Sequence, residues 1–171
     1  MKKRVLPLVI LFLVTVSLCI GIEQRVQQQK DIDLTYGHAR SLYSTALIHC
    51  AYAIDYLEKQ DQDGFEYLFE DLSTSCAEFS KYMRTLTEKT DLEATYPLAV
   101  GYLFDFCEQV TEVKNTYTSV DISALKAHYA LLTEGKGLLE PHIPLHLILH
   151  RLEAQLEEND PPPRTLSSAA M

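Results

Sequence analysis

The chain has 171 residues, of which 47% are apolar and 23% charged, with six Gly, seven Pro and no Trp. That profile suits one ordinary domain built of long helices better than a turn-rich β fold. Lys2, Lys3 and Arg4 carry the only charges before Glu23, so the rest of the chain sets 12 basic residues against 24 acidic ones; such a surface repels phosphate backbones and anionic lipid headgroups and excludes nucleic acid as a partner.

Behind the basic start lie 18 uncharged residues, Val5 to Ile22. As a helix they would span roughly 27 Å, close to the hydrocarbon thickness of a bilayer. The pattern predicts residues 1–22 to be an uncleaved signal anchor, a single transmembrane helix in contact with the membrane through residues 5–22. The basic cluster then keeps the N-terminus cytoplasmic and places everything after Ile22 outside the cell membrane. A cleaved signal peptide is the alternative, but Cys19-Ile20-Gly21 is a poor match to the small residues a peptidase needs. A lipoprotein needs a small residue before its Cys, and Leu18 precedes Cys19.

Residues 23–160 read as an extracytoplasmic helical bundle. Ile32, Tyr36, Ala39, Tyr43, Ala46, Cys50, Ala53 and Leu57 follow a strict 4,3 spacing, a heptad seam over more than three heptads. Asp61-Gln62-Asp63-Gly64 ends this helix, and Asp63 with Glu66 resembles a capping box for the next. A second seam runs Phe65, Phe69, Leu72, Cys76, Phe79, Met83, Leu86, and a third runs Tyr96, Ala99, Leu103, Phe106, Val110, Val113, Tyr117. Pro97 fits a first helical turn if Thr95 caps, and a kink if Thr90 does.

Asp121 can cap a short helix bearing Ile122, Leu125, Tyr129 and Leu132, ended by Gly135 and Gly137. Pro141 and Pro144 suit the start of a last helix with Leu145, Leu149, Leu152 and Leu156 on one side. Residues 161–171, from Pro161-Pro162-Pro163 on, read as a disordered Pro-rich tail. The fold class is therefore all-α: a transmembrane helix, then an antiparallel up-down bundle of four-helix type whose fourth element is split into two short helices. Basic start, single span and bundle together resemble the layout of the extracytoplasmic sensor domains of bacterial chemoreceptors; the likeness is of arrangement and carries no shared motif.

Three features carry possible chemistry. If the second and third helices reverse near Asp91–Leu92, Cys76 lies level with Cys107, and an oxidising compartment would allow a disulfide between them. Cys50 falls about one turn from Cys76, so three thiols share a zone; small buried hydrophobes are the plainer reading. His142, His146 and His150 recur every four residues, and His146 with His150 is a spacing that can hold zinc or copper. Glu153 extends that face. No Glu stands between the pair as a general base, and exposed histidines on an amphipathic helix explain the spacing as well. The pairs Asp31/Asp33 and Asp61/Asp63 sit where helix starts and turns explain them better than acid–base catalysis, and the tyrosines mostly fall on seams.

No phosphate loop, nucleophile elbow or triad pattern is present. The reading is a membrane-anchored, non-enzymatic protein without a cofactor, whose bundle binds another protein or a second copy of itself. The alternative is a small-molecule or metal-binding sensor of the cell envelope using the His or Tyr positions.

Overall fold

The computed structural model describes residues 2–113, 120–134, 143–159, 161–162 and 166, with residues 2–11 as main chain only. Among these the chain forms six helices and no strand: α1 (Lys2–Glu58), α2 (Gln62–Lys89), α3 (Leu92–Thr95), α4 (Pro97–Val113), α5 (Ile122–Glu134) and α6 (Leu145–Glu158). Contacts divide the chain into two units, Met1–Leu34 and Thr35–Met171, with the boundary inside α1.

The first unit overturns the membrane reading. Among the described residues no helix is long and apolar enough to cross a membrane, so the transmembrane anchor at 5–22, the single-pass topology and the outside placement of the bundle are not supported. The likeness to chemoreceptor sensor domains loses its membrane half with it. Farther along, Gln27 donates to Asp31 at 3.1 Å and Gln29 to Asp33 at 2.9 Å. Those carboxylates stand mid-helix, not at the helix start expected for them, and are held by i,i+4 pairs.

In the second unit the seams behave as the periodicity demands. Every position of the α2 seam, from Phe65 to Leu86, is buried, and so are Ala39, Tyr43, Ala46, Cys50 and Ala53 on α1 and Ala99, Leu103, Phe106, Val110 and Val113 on α4. Tyr117 lies outside the described residues. The rings of His38 and Tyr82 and of Tyr43 and Phe79 meet, and Ser75 Oγ lies 3.4 Å from His49 Nδ1. One helix number rises as the other falls, so α1 and α2 are antiparallel.

Their connection is a Schellman turn. Gln60 takes a left-handed φ of 59°, its N–H bonds Leu57 O at 3.1 Å, and the Asp61 N–H bonds Tyr56 O at 3.0 Å. Asp61 then caps α2, its carboxylate accepting from the Gly64 N–H at 3.0 Å. The cap is therefore Asp61, two residues before the expected Asp63. Gly64 is required by proximity, since a Cβ there would lie 2.3 Å from the Tyr56 ring. Pro97 does take a first helical turn, but neither Thr95 nor Thr90 is the cap: Thr90 ends α2, Asp91 stands before α3 and Thr95 is the last residue of α3. A one-turn helix, α3, precedes a break at Tyr96, and Pro97 opens α4, where its missing N–H is not needed.

The split fourth element departs from expectation. Tyr43 donates to Leu132 O at 2.9 Å and Lys126 pairs with Glu58, so α5 runs antiparallel to α1. Tyr96 meets His150, and the Leu98 and Ala99 N–H groups reach Glu153, so α6 climbs with α4. The two short helices thus point in opposite directions. Near the end of the chain Leu166, expected in a disordered tail, is buried and its carbonyl accepts from the Asp121 N–H at 2.8 Å.

Candidate ligand pocket

The N-terminus of α4 is fixed from a distance. The Glu153 carboxylate, buried on α6, accepts from Leu98 N–H at 3.2 Å and from Ala99 N–H at 2.7 Å. A carboxylate there satisfies two of the free amides of the first turn and meets the positive end of the helix dipole. α5 is fixed by Asp121, whose carboxylate accepts from Ser123 N–H at 2.8 Å and Ala124 N–H at 3.2 Å. These two caps set the helices that frame a pocket of about 240 Å³.

The α4 wall is the stripe Leu98, Tyr102, Asp105, Gln109, spaced 4,3,4 and therefore on one face. α5 contributes His128, α6 contributes Leu156, and Pro161 and Pro162 close one side. His128 is 1% exposed and lies between two rings of α4. Tyr102 stacks on it at 5.7 Å and 30°, and Phe106 is tilted against it at 5.4 Å. The Tyr102 hydroxyl and His128 Nδ1 share a hydrogen bond at 2.6 Å. Burial pushes the Tyr102 phenol well above its ordinary range, so it stays protonated. Gln109 also lines the pocket, and its side-chain oxygen is the one buried side-chain polar atom among the described residues without a hydrogen-bond partner.

A separate cluster lies in the core. Cys50, Cys76 and Cys107 are buried and, like the exposed Cys19, free. Cys76 and Cys107 are side by side, the level that the hairpin arithmetic assigns them. That contact raises the Cys76 thiol first, burial adds to it, and Cys50 is close enough to contribute. Burial pushes Cys50 up to about 12. The Cys50 and Cys76 thiols are thus neutral and shielded, the opposite of an activated nucleophile.

The histidine spacing on α6 lies at the surface. His146 and His150 are exposed, and His142 lies outside the described residues. Glu153, expected to extend their face, turns inward to cap α4. Among the described residues no group of three or more His, Cys, Asp and Glu could hold a metal ion. The residues that the sequence reading did not single out are His128 and Gln109, with the polar part of the α4 stripe. Their signal was present: Leu98, Tyr102, Asp105 and Gln109 repeat at helical spacing beside the third seam. No family model matches the chain, and no curated protein or solved structure is significantly similar to it.

Proposed function

We propose that the protein is a non-enzymatic binding protein whose helical bundle takes a small ligand in the pocket between α4, α5 and α6. The observation that carries this is a buried, mutually hydrogen-bonded Tyr102–His128 pair facing a pocket of about 240 Å³ with apolar walls. Apolar walls with a few fixed polar groups are the usual composition of a small-molecule site. Binding to another protein, the first reading of the sequence, relied partly on the helical seams. The bundle buries much of those seams internally, while the acidic faces and the exposed apolar side chains of α1 from Phe12 to Leu34 stay open to a partner.

Gly101 supplies the test. It lines the pocket, and a Cβ at this position meets nothing within 4 Å, so Gly101→Leu fills the space without disturbing the helix. A thermal-shift screen of small fragments is expected to give binders of the wild-type protein, each adding about 2.7 kcal/mol of stability at a hundredfold excess over Kd. Gly101→Leu is expected to lose them. No binder at all, or binders that Gly101→Leu retains, would overturn the proposal.

A further inference from the structure

We propose that Cys76 and Cys107 are a disulfide-forming pair, a modification site at which a small-molecule disulfide staples α2 to α4 as the chain folds. The structure shows the pair in its reduced form.

Placement comes first. Cys76 sits on the α2 seam, and Cys107 stands beside the α4 seam, next to Phe106. α2 and α4 pack directly on each other. Arg84 lies over the Phe104 ring at 6.0 Å, and the Cys76 and Cys107 thiols hydrogen-bond each other. Numbers therefore fall along α4 as they rise along α2, and the antiparallel hairpin brings the two cysteines level. A bridge needs two side chains aimed at one another across a short gap. Thiols that already hydrogen-bond meet that demand, and neither helix has to turn to bring the sulfurs together.

Selectivity comes second. Cys50, on α1, acts on Cys76 through charge alone, whereas Cys107 touches it. Cys19 is exposed and belongs to the other unit. The geometry therefore selects Cys76–Cys107 over a Cys50–Cys76 link.

The chemistry is thiol–disulfide exchange, with oxidised glutathione or another small disulfide as the oxidant. While the hairpin is open, one cysteine loses its proton. Its thiolate attacks a sulfur of the oxidant and expels one glutathione thiolate. The second cysteine, deprotonated in turn, attacks the protein-bound sulfur and expels the other. The protein gains one S–S bond and gives up two electrons and two protons; the oxidant takes them up and leaves as two thiols. In the folded state Cys76 is 0% and Cys107 4% exposed, so exchange is confined to folding or to opening of α2 from α4.

The experiment starts from the fully reduced full chain, unfolded in urea and refolded in a buffer of reduced and oxidised glutathione. The product is quenched with acid, alkylated without reduction and mapped by mass spectrometry. A linked Cys76–Cys107 peptide is expected, with Cys19 and Cys50 alkylated. The bridge closes a loop of about thirty residues, so the folding constant of the oxidised protein in urea is expected to exceed that of the reduced protein about a hundredfold. Cys50→Ala is expected to keep both the link and the gain, and Cys107→Ala to lose them.

Alkylation of all four cysteines after refolding would overturn the proposal on the wild-type chain, whether or not a variant folds. So would Cys50 as the main partner of Cys76. A Cys76–Cys107 link that leaves the urea midpoint at or below that of the reduced protein would overturn it as well, because the bond would then be forced on the fold and not prepared by it.

Discussion

The histidines of α5 and α6 had opposite fortunes. His146 and His150 stand one turn apart, a regular spacing that invites a metal, yet both face outward, and among the described residues no third ligand joins them. His128 has no patterned neighbour in sequence, yet it is 1% exposed, hydrogen-bonded and packed between two rings. Spacing along one helix says which residues share a face. It does not say whether that face is covered. Coverage is decided by what the other helices bring, and α4 brings Tyr102 and Phe106 to His128 but offers His150 only the half-exposed Tyr96.

The largest test of this contrast is removal of the buried ring. His128→Ala leaves a cavity and an unpaired Tyr102 hydroxyl, and is expected to cost about 3 kcal/mol in urea unfolding. A cost under about 1 kcal/mol would mean that the ring is not packed as described. Glu153→Ala comes next. It strips the acceptor from two amides of α4 and is expected to cost about 2 kcal/mol, with Glu153→Gln recovering part through its remaining oxygen. If Glu153→Ala were neutral, Glu153 would belong to the outer face after all, beside His150.

Interior and surface also separate by pH. The Cys50 thiol is raised from 9.0 to about 12 in the folded state, and Cys76, Tyr43 and Tyr102 are raised as well. The unfolded chain therefore releases these protons at lower pH than the folded one. The stability they hold is whole below about pH 9 and drains away as pH rises toward the folded values, by about 1.4 kcal/mol per pH unit for each group inside its window. Urea midpoints measured from pH 8 to 11 are expected to fall steadily above 9. A flat profile would show that the thiols and phenols reach water. The same burial predicts that an alkylating agent at pH 8 modifies Cys19 and spares Cys50, Cys76 and Cys107 until denaturant is added.

What the sequence made legible follows from the same distinction. Core positions repeat, so Phe65, Phe69, Leu72 and Cys76 could be read from period alone, and a reversal near Asp91 brought Cys76 level with Cys107. The long-range pairings do not repeat. Nothing within 50 residues of Leu98 announces that Glu153 caps its helix, and the opposite directions of α5 and α6 depend on contacts with α1 and α4. The pocket stripe was visible as spacing but mixes Leu98 with Asp105 and Gln109, which a hydrophobicity pattern counts as surface. The anchor reading is overturned by another finding: among the described residues no helix is long and apolar enough to cross a membrane.

The smallest effect is expected on α6 itself. His146→Ala and His150→Ala remove rings that already face solvent, so each is expected to change stability by less than about 0.5 kcal/mol, and the double variant by about the sum. Added zinc is expected to leave the melting temperature of the wild-type protein in place, because among the described residues no further ligand joins the two exposed imidazoles. A zinc-dependent rise that disappears in the double variant would reverse the contrast. It would require a third ligand to approach His146 and His150, and with Glu153 committed to α4 that ligand would have to come from another element or another molecule.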